Sequence, residues 1–156
     1  MRVGIGHDTH RLVEGRPLIL CGVQIDYPKG LAGHSDADVG LHAITDALLG
    51  AAGLGDIGEL YPDHDPRFRN VDSSIFLRET MDRLLGMRYH IVNIDLIFFA
   101  QEPKLSPVKE RMRQHLAQLL NLEPLNVNIK AKTGEQVGHI GRGEAIACQA
   151  VVLIDS

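Results

Sequence analysis

Tryptophan is absent from this 156-residue chain, and its aromatics amount to three tyrosines and four phenylalanines. So few rings argue against a base-stacking platform for nucleic acid. A basic excess is missing too. Lys and Arg number 16 against 20 Asp and Glu, a net charge of −4, the wrong sign for a phosphate-backbone footprint. No apolar run approaches the roughly 20 residues of a membrane helix. The opening MRVGIGHD runs into an extended pattern without an apolar signal core or an Arg/Ser-rich presequence, so a cytoplasmic protein is expected. The two cysteines, Cys21 and Cys148, lie in separate apolar runs with no C-x-x-C spacing. They read as buried thiols, not zinc ligands. There is no Walker A loop, HExxH, GxSxG or strand-borne dinucleotide fingerprint, which removes the commonest nucleotide and hydrolase readings.

What remains is ordinary globular composition, 44% hydrophobic and 23% charged. It suits one self-supporting domain over residues 1–156. Residues 2–8 and 18–25 read as the two strands of a hairpin. Residues 37–52 read as a helix with Leu41, Ile44, Leu48 and Ala51 inward and Ser35 or Asp36 as its cap. Residues 53–72 read as a long loop, and loops of that length in compact domains are more often functional than idle. A second helix begins at Asp72 or Ser73, with Leu77, Met81, Leu84 and Leu85 inward. A strand at 91–99 and a third helix follow, the helix opened by Ser106-Pro107. Strands at 125–132 and 144–154 flank a glycine-rich loop. This order gives an α+β sandwich with helices on one face of a mixed sheet. Strand 145–154 is apolar on both parities, so its second face calls for cover by another copy of the chain.

Eight histidines shift attention to His/carboxylate chemistry. Asp8 and His10 sit at i and i+2, on one face of a strand. Alone, a D-x-H is usually surface decoration. Asp38, His42 and Asp46 recur every four residues along the helix, away from its apolar stripe. With Asp8 and His10, His42 completes a His₂-carboxylate set with an open fourth position, the arrangement of catalytic zinc. Asp46, one turn on, is placed to orient the His42 ring, although a helix-surface carboxylate reads the same way. Asp56, Asp63 and Asp65 in the loop suit polyol hydroxyls, while Asp-Pro pairs are also common turn formers. Lys130, Lys132 and Thr133 lead into the glycine-rich loop with Arg142, a phosphate cradle by residue type. Lys104 lies in similar polar surroundings. Glu135 is a carboxylate of the kind Mg²⁺ takes beside substrate phosphates.

GIGHDTHRL (4–12), HSDADVGLHAITDALLGAAGLGDIG (34–58), YPDHDP (61–66), AQEPKL (100–105), NVNIKAKTGE (126–135) and GRGEAIA (141–147) together resemble the 2-C-methyl-D-erythritol 2,4-cyclodiphosphate synthases, collinearly over nearly the whole chain. The resemblance implies a homotrimer with active sites at subunit interfaces. It implies a cytidine diphosphate substrate cyclised with loss of CMP in the non-mevalonate route to isoprenoids. Asp8, His10 and His42 would hold a zinc-type ion. Glu135 would hold a second divalent ion, Mg²⁺ or Mn²⁺, with the substrate diphosphate. His34 and Thr133 would stabilise the transition state, with Ser35 on the reacting phosphates. Asp63, Asp65 and Tyr61 fall in the matching erythritol loop, and Asp56, Ile57 and Gly58 where the ribose is held. Ala100, Pro103, Lys104, Leu105, Ala131 and Lys132 would line the cytosine pocket from the adjacent subunit. Arg142 and His139 would face an isoprenoid diphosphate on the threefold axis. His7, His64 and His139 depart from the family's usual residues, and His139 stands where Phe is common. Two alternatives use the same residues: a diphosphate hydrolase with water as nucleophile, and a non-catalytic trimeric binding module.

Overall fold

Two glycines in the first strand decide how this chain packs. β1 (Arg2–Glu14) directs its even-numbered residues toward α1 (Val39–Ala52). A Cβ at Gly4 would lie 1.9 Å from the Ala47 carbonyl oxygen, and one at Gly6 2.0 Å from that of Ala43. Helix backbone therefore rests on strand backbone, and the helix meets it with alanines 43, 47 and 51, all buried. The computed structural model describes residues 1–62 and 64–156, so Asp63 lies outside the described residues.

The rest of the chain builds outward from this contact. In chain order come β2 (Leu18–Leu20), β3 (Val23–Ile25) and β4 (Lys29–Leu31), then α1, the short α2 (Ile57–Leu60) and α3 (Ser74–Gly86). β5 (His90–Phe99), α4 (Lys109–Leu120), β6 (Val127–Lys132), the short α5 (Gly138–Gly141) and β7 (Ala145–Asp155) complete it. The main sheet has the order β4-β1-β7-β5-β6. All neighbours are antiparallel except β5 and β6, so the sheet is mixed, as expected. Ile94, Leu96 and Phe98 of β5 and alternate residues of β7 from Ile146 to Ile154 face the helices in one core. On the opposite face Val3 and Ile5 are 68% and 64% exposed, so the helices cover one side only.

Several local expectations need correction. Residues 18–25 do not pair with β1. They fold on themselves as the β2–β3 hairpin about Cys21-Gly22, while β1 extends to Glu14 and pairs with β4 and β7. Neither Ser35 nor Asp36 caps α1. Asp38 does, accepting from Gly40 and Leu41 N–H at 3.1 Å each. The same fully buried carboxylate accepts from Cys21 N–H at 2.9 Å and Gly22 N–H at 2.6 Å, so it is no part of a solvated helix face. Burial pushes its pKa up to about 6, against the N–H groups of Gly22, Leu41 and Cys21 that favour the charge and with Asp36 adding to the rise. Leu85 is 62% exposed, and the inward face of α3 carries Phe76 with Leu77 and Leu84 instead. Ser106 does not cap α4. Regular helix begins at Lys109, whose N–H reaches back to Leu105 C=O at 3.0 Å. The 53–72 loop contains α2 and a 3₁₀ turn at Pro66–Phe68. Gly53-Leu54-Gly55-Asp56-Ile57-Gly58 has dinucleotide-type glycine spacing, but it follows a helix and leads into one turn, the wrong context for that motif.

Two glycine substitutions should move stability in opposite directions. Gly6→Ala forces α1 off β1 and should destabilise by about 1–3 kcal/mol or more. Gly86→Ala, with no atom within 4 Å of the added methyl, should stabilise by about 0.5–1 kcal/mol. Urea denaturation of both variants checks the pair.

Candidate metal centre and cavity

The alternation that points Gly4 and Gly6 at α1 points Asp8 and His10 the same way, one step further along β1. His42 immediately precedes Ala43, so seating the helix on the glycines brings its ring to the two strand side chains. Asp8 Oδ2 lies 2.9 Å from His10 Nε2 and 2.9 Å from His42 Nδ1. The two ring nitrogens are 3.3 Å apart. The three residues each offer one ligand atom, all within 4.8 Å of one another.

This donor set fits a divalent metal. His10 Nδ1 is 2.6 Å from the Ala32 carbonyl oxygen, which accepts only, so Nδ1 carries the proton and Nε2 is the donor atom. Ring orientation by a backbone carbonyl is the usual device at histidine metal ligands. His42 Nε2 is 2.8 Å from Ser73 Oγ and 3.2 Å from Ser35 Oγ, leaving Nδ1 toward the centre. Burial opposes charge on Asp8, yet the hydrogen bonds and charges of both histidines hold its carboxyl well below the usual range. Burial lowers the His10 pKa, and Asp8 with the Ala32 carbonyl overcomes that to raise it above 6.5.

These residues form one end of a cavity of about 470 Å³. Beside them stand His34, Ser35, Ile57, Gly58 and Tyr61, all anticipated from the sequence. Ser35 is buried, and His34 Nε2 donates to the Asp65 carbonyl at 3.0 Å. An apolar part of the wall adjoins the donor set, with the Phe76 ring centroid 6.2 Å from that of His42. The ring centroids of Tyr61 and Phe76 are 4.6 Å apart, and Phe68 meets both edge-on. Phe68, Phe76, Pro62 and His64 were not anticipated as lining. The available signal was that three of the seven aromatics fall between positions 61 and 76.

Other site expectations change. Asp46 does not hold the His42 ring. Its Oδ1 accepts from Ile57 N–H at 2.7 Å and so anchors α2 at the cavity mouth. Asp56 caps α2 through Glu59 N–H at 2.9 Å. The Asp65 carboxylate is taken up by Arg67 at 2.6 Å, away from a polyol role. Asp63, expected on the same hydroxyls, lies outside the described residues.

The second half of the anticipated site is not in this cavity. Residues 100–105 and 131–135 meet each other at the ends of β5 and β6, where Ala100 N–H donates to Lys132 C=O at 2.9 Å. Ala100 and Leu105 are packed into the core, while Pro103, Lys104, Lys132, Thr133 and Glu135 reach the surface to differing degrees. Thr133 Oγ1 donates to Glu135 Oε1 at 2.8 Å. Lys130 pairs with Asp95, and Arg142 with Glu144 at 2.7 Å, so neither is an unpaired cation. His139 is exposed on α5.

Comparison with known proteins agrees over the full length. The model of the YgbB family matches residues 1–155. A 2-C-methyl-D-erythritol 2,4-cyclodiphosphate synthase of Laribacter hongkongensis is 56% identical over 156 residues, all of this chain and 96% of the relative. One from Geobacillus kaustophilus is 55% identical over 98% of this chain and 97% of its own. A solved structure of a synthase of that name in a CDP-bound form superposes with a TM-score of 0.91 at 42% identity, covering 99% of this chain and all of its own. The bifunctional IspDF from Campylobacter jejuni reaches a TM-score of 0.94 at 46% identity, over 98% of this chain and 42% of its own.

Zinc uptake should depend on the three donors and on pH in a stated direction. Purified His42→Ala should lose its capacity to take up a divalent metal. In the wild type, affinity is full while His10 is neutral and falls as pH drops through its raised pKa, because a protonated Nε2 has no lone pair to give. Competition with a chromophoric chelator across the neutral range should place that loss above pH 6.5, the ordinary histidine value.

Proposed function

The chain belongs to the YgbB family, the family of the 2-C-methyl-D-erythritol 2,4-cyclodiphosphate synthases, and we infer from this, with the Asp8/His10/His42 centre, its activity. It converts 4-diphosphocytidyl-2-C-methyl-D-erythritol 2-phosphate to 2-C-methyl-D-erythritol 2,4-cyclodiphosphate and CMP. It does so as a single domain spanning residues 1–156. The observation that carries the reading is the convergence of that donor set with His34 and Ser35 at one end of a cavity with an aromatic wall.

An oxygen of the substrate's 2-phosphate attacks the β-phosphorus, the bond from that phosphorus to the bridging oxygen breaks, and the electron pair leaves with CMP. The nucleophile is already anionic, so no strong general base is required. The reaction needs positioning and neutralisation of phosphate charge. A zinc-type ion held by Asp8, His10 and His42, and Mg²⁺ or Mn²⁺ held by Glu135, would supply Lewis-acid neutralisation of phosphate charge. His34 and Ser35 hold the reacting phosphates at the cavity end, and the apolar wall of Tyr61, Phe68 and Phe76 excludes water from them. Ile57 and Gly58 take the ribose side, beside Asp56. Thr133 donates to the diphosphate.

Thr133, Glu135 and the 100–105 segment stand apart from the cavity of their own chain. They complete the site of a neighbouring copy in a homotrimer, where the 100–105 segment with Ala131 to Thr133 lines the cytosine pocket and Glu135 serves the diphosphate. The uncovered sheet face with Val3, Ile5 and Val151 exposed supports association through that face. The same arrangement turns His139 and the Arg142–Glu144 pair toward the threefold axis, where an isoprenoid diphosphate would meet them.

Phosphorus NMR of the products is the direct test, run on protein whose light-scattering mass is that of three chains. A cyclic diphosphate plus CMP is expected. Two open monophosphates would instead identify a hydrolase.

Thr133 and Glu135 should separate in a Mg²⁺ titration of CMP release. Thr133→Ala loses one neutral donor, with an expected rate loss of about 10²–10³ that added Mg²⁺ does not restore. Glu135→Gln should need more Mg²⁺ and recover as it is supplied. Zinc content should be unchanged in both.

A further inference from the structure

Ser73 occupies the N-cap of α3, where a serine hydroxyl ordinarily accepts from an N–H of the first turn, and it makes no such bond. Asp72 serves that turn, accepting from Ser74 N–H at 2.8 Å. The fully buried Ser73 hydroxyl has Ser35 Oγ at 3.3 Å and lies between two closer side chains. One is His42, with Nε2 at 2.8 Å, and the other is the Asp36 carboxylate, to which it is hydrogen-bonded. Counting protons fixes the directions. A carboxylate accepts only, and a hydroxyl has one proton to give. That proton goes to Asp36, so the Ser73 oxygen accepts from His42 Nε2–H, while the Asp8 carboxylate, 2.9 Å from Nδ1, competes for the ring proton until a metal takes that position.

The hydroxyl is not needed to hold the local backbone. Segments 34–36 and 70–73 are already tied by Asp36 N–H to Val71 C=O at 3.0 Å and Asn70 N–H to His34 C=O at 2.7 Å. Ser73 N–H also donates to the Asp36 carboxylate at 3.1 Å, fixing the carboxylate. A cap position that has given up capping for a histidine ring marks a local rule broken for function.

We propose that Ser73 and Asp36 are positioning residues that keep the proton on His42 Nε2 and present the Nδ1 lone pair to the metal. The proposal rests on reading Asp8, His10 and His42 as a metal site and goes beyond it, because neither Ser73 nor Asp36 lines the cavity or belongs to the donor set. The relay also reaches the phosphate end, since Ser35 Oγ lies 3.3 Å from Ser73 Oγ. Outer partners of this kind set ring orientation and ligand basicity.

Two measurements on the full chain test it. The first is long-range proton–nitrogen NMR of metal-free wild type at alkaline pH, which reads the His42 tautomer. Nε2–H is expected, and Nδ1–H overturns the proposal. The second is zinc competition against a chromophoric chelator. Ser73→Ala should weaken zinc by about 10–100-fold and shift the tautomer toward Nδ1–H, because Asp8 at 2.9 Å from Nδ1 is then a closer and charged partner compared with Ser35 at 3.2 Å from Nε2. Asp36→Asn keeps an acceptor for the hydroxyl but loses the charge, so its loss should be smaller. Zinc affinity in Ser73→Ala within about twofold of wild type overturns the relay. Should Ser73→Ala not fold, the wild-type tautomer decides. Should wild type take up no zinc, the metal reading falls while the tautomer still decides the relay.

Discussion

Backbone-to-backbone contact between β1 and α1 is the constraint on which the centre depends. A side chain at position 4 or 6 would hold the helix away from the strand. The His42 ring would then no longer reach Asp8, 2.9 Å away. The glycines and alanines of this interface carry no chemistry, yet they set the distances that chemistry needs. Asp38 fixes the remaining freedom by joining the start of α1 to the β2–β3 turn through four N–H groups. The helix is thus fixed along its length by close packing and at its end by a buried charge.

Much of this was legible in the sequence where periodicity and chemistry coincided. Asp8 and His10 two apart on a strand, and His42 on the polar side of an apolar helix stripe, sufficed to assemble the donor set. The sequence was less informative where a residue's partner lies far along the chain. Asp38 looked like one more polar helix residue because its hydrogen bonds to Cys21 and Gly22 come from a hairpin 16 and 17 positions away. Asp46 looked like a partner for His42 because both share a helix face, but a loop N–H competes for its carboxylate. Ser73 read as a helix start, which is its position but not its hydrogen bonding. The β1–β2 hairpin failed because β7, from the far end of the chain, occupies the place beside β1.

Metal donors and aromatic wall line one cavity, while Thr133 and Glu135 follow β6, at the same end of the sheet but three strands across from β1 and outside that cavity. A single chain thus holds two incomplete parts of the proposed site, and the exposed apolar sheet residues lie where no helix covers them. In the proposed site, association would be part of catalysis, since the diphosphate would bridge residues that one chain does not bring together.

The strand order carries a consequence for biosynthesis. β7 sits at the centre of the sheet, between β1 and β5, yet it follows every other element in the chain. Arg2 pairs with Ile154, so the first strand waits for the last before its long edge is satisfied. On the ribosome, β1 and the helices can form local contacts, but the sheet cannot close until β7 has left the exit tunnel. Until then Val3 and Ile5 lie on an open edge of the kind that invites pairing with other nascent chains. Folding of the sheet is thereby deferred until β7 is available, and contacts of such long sequence separation make it slow.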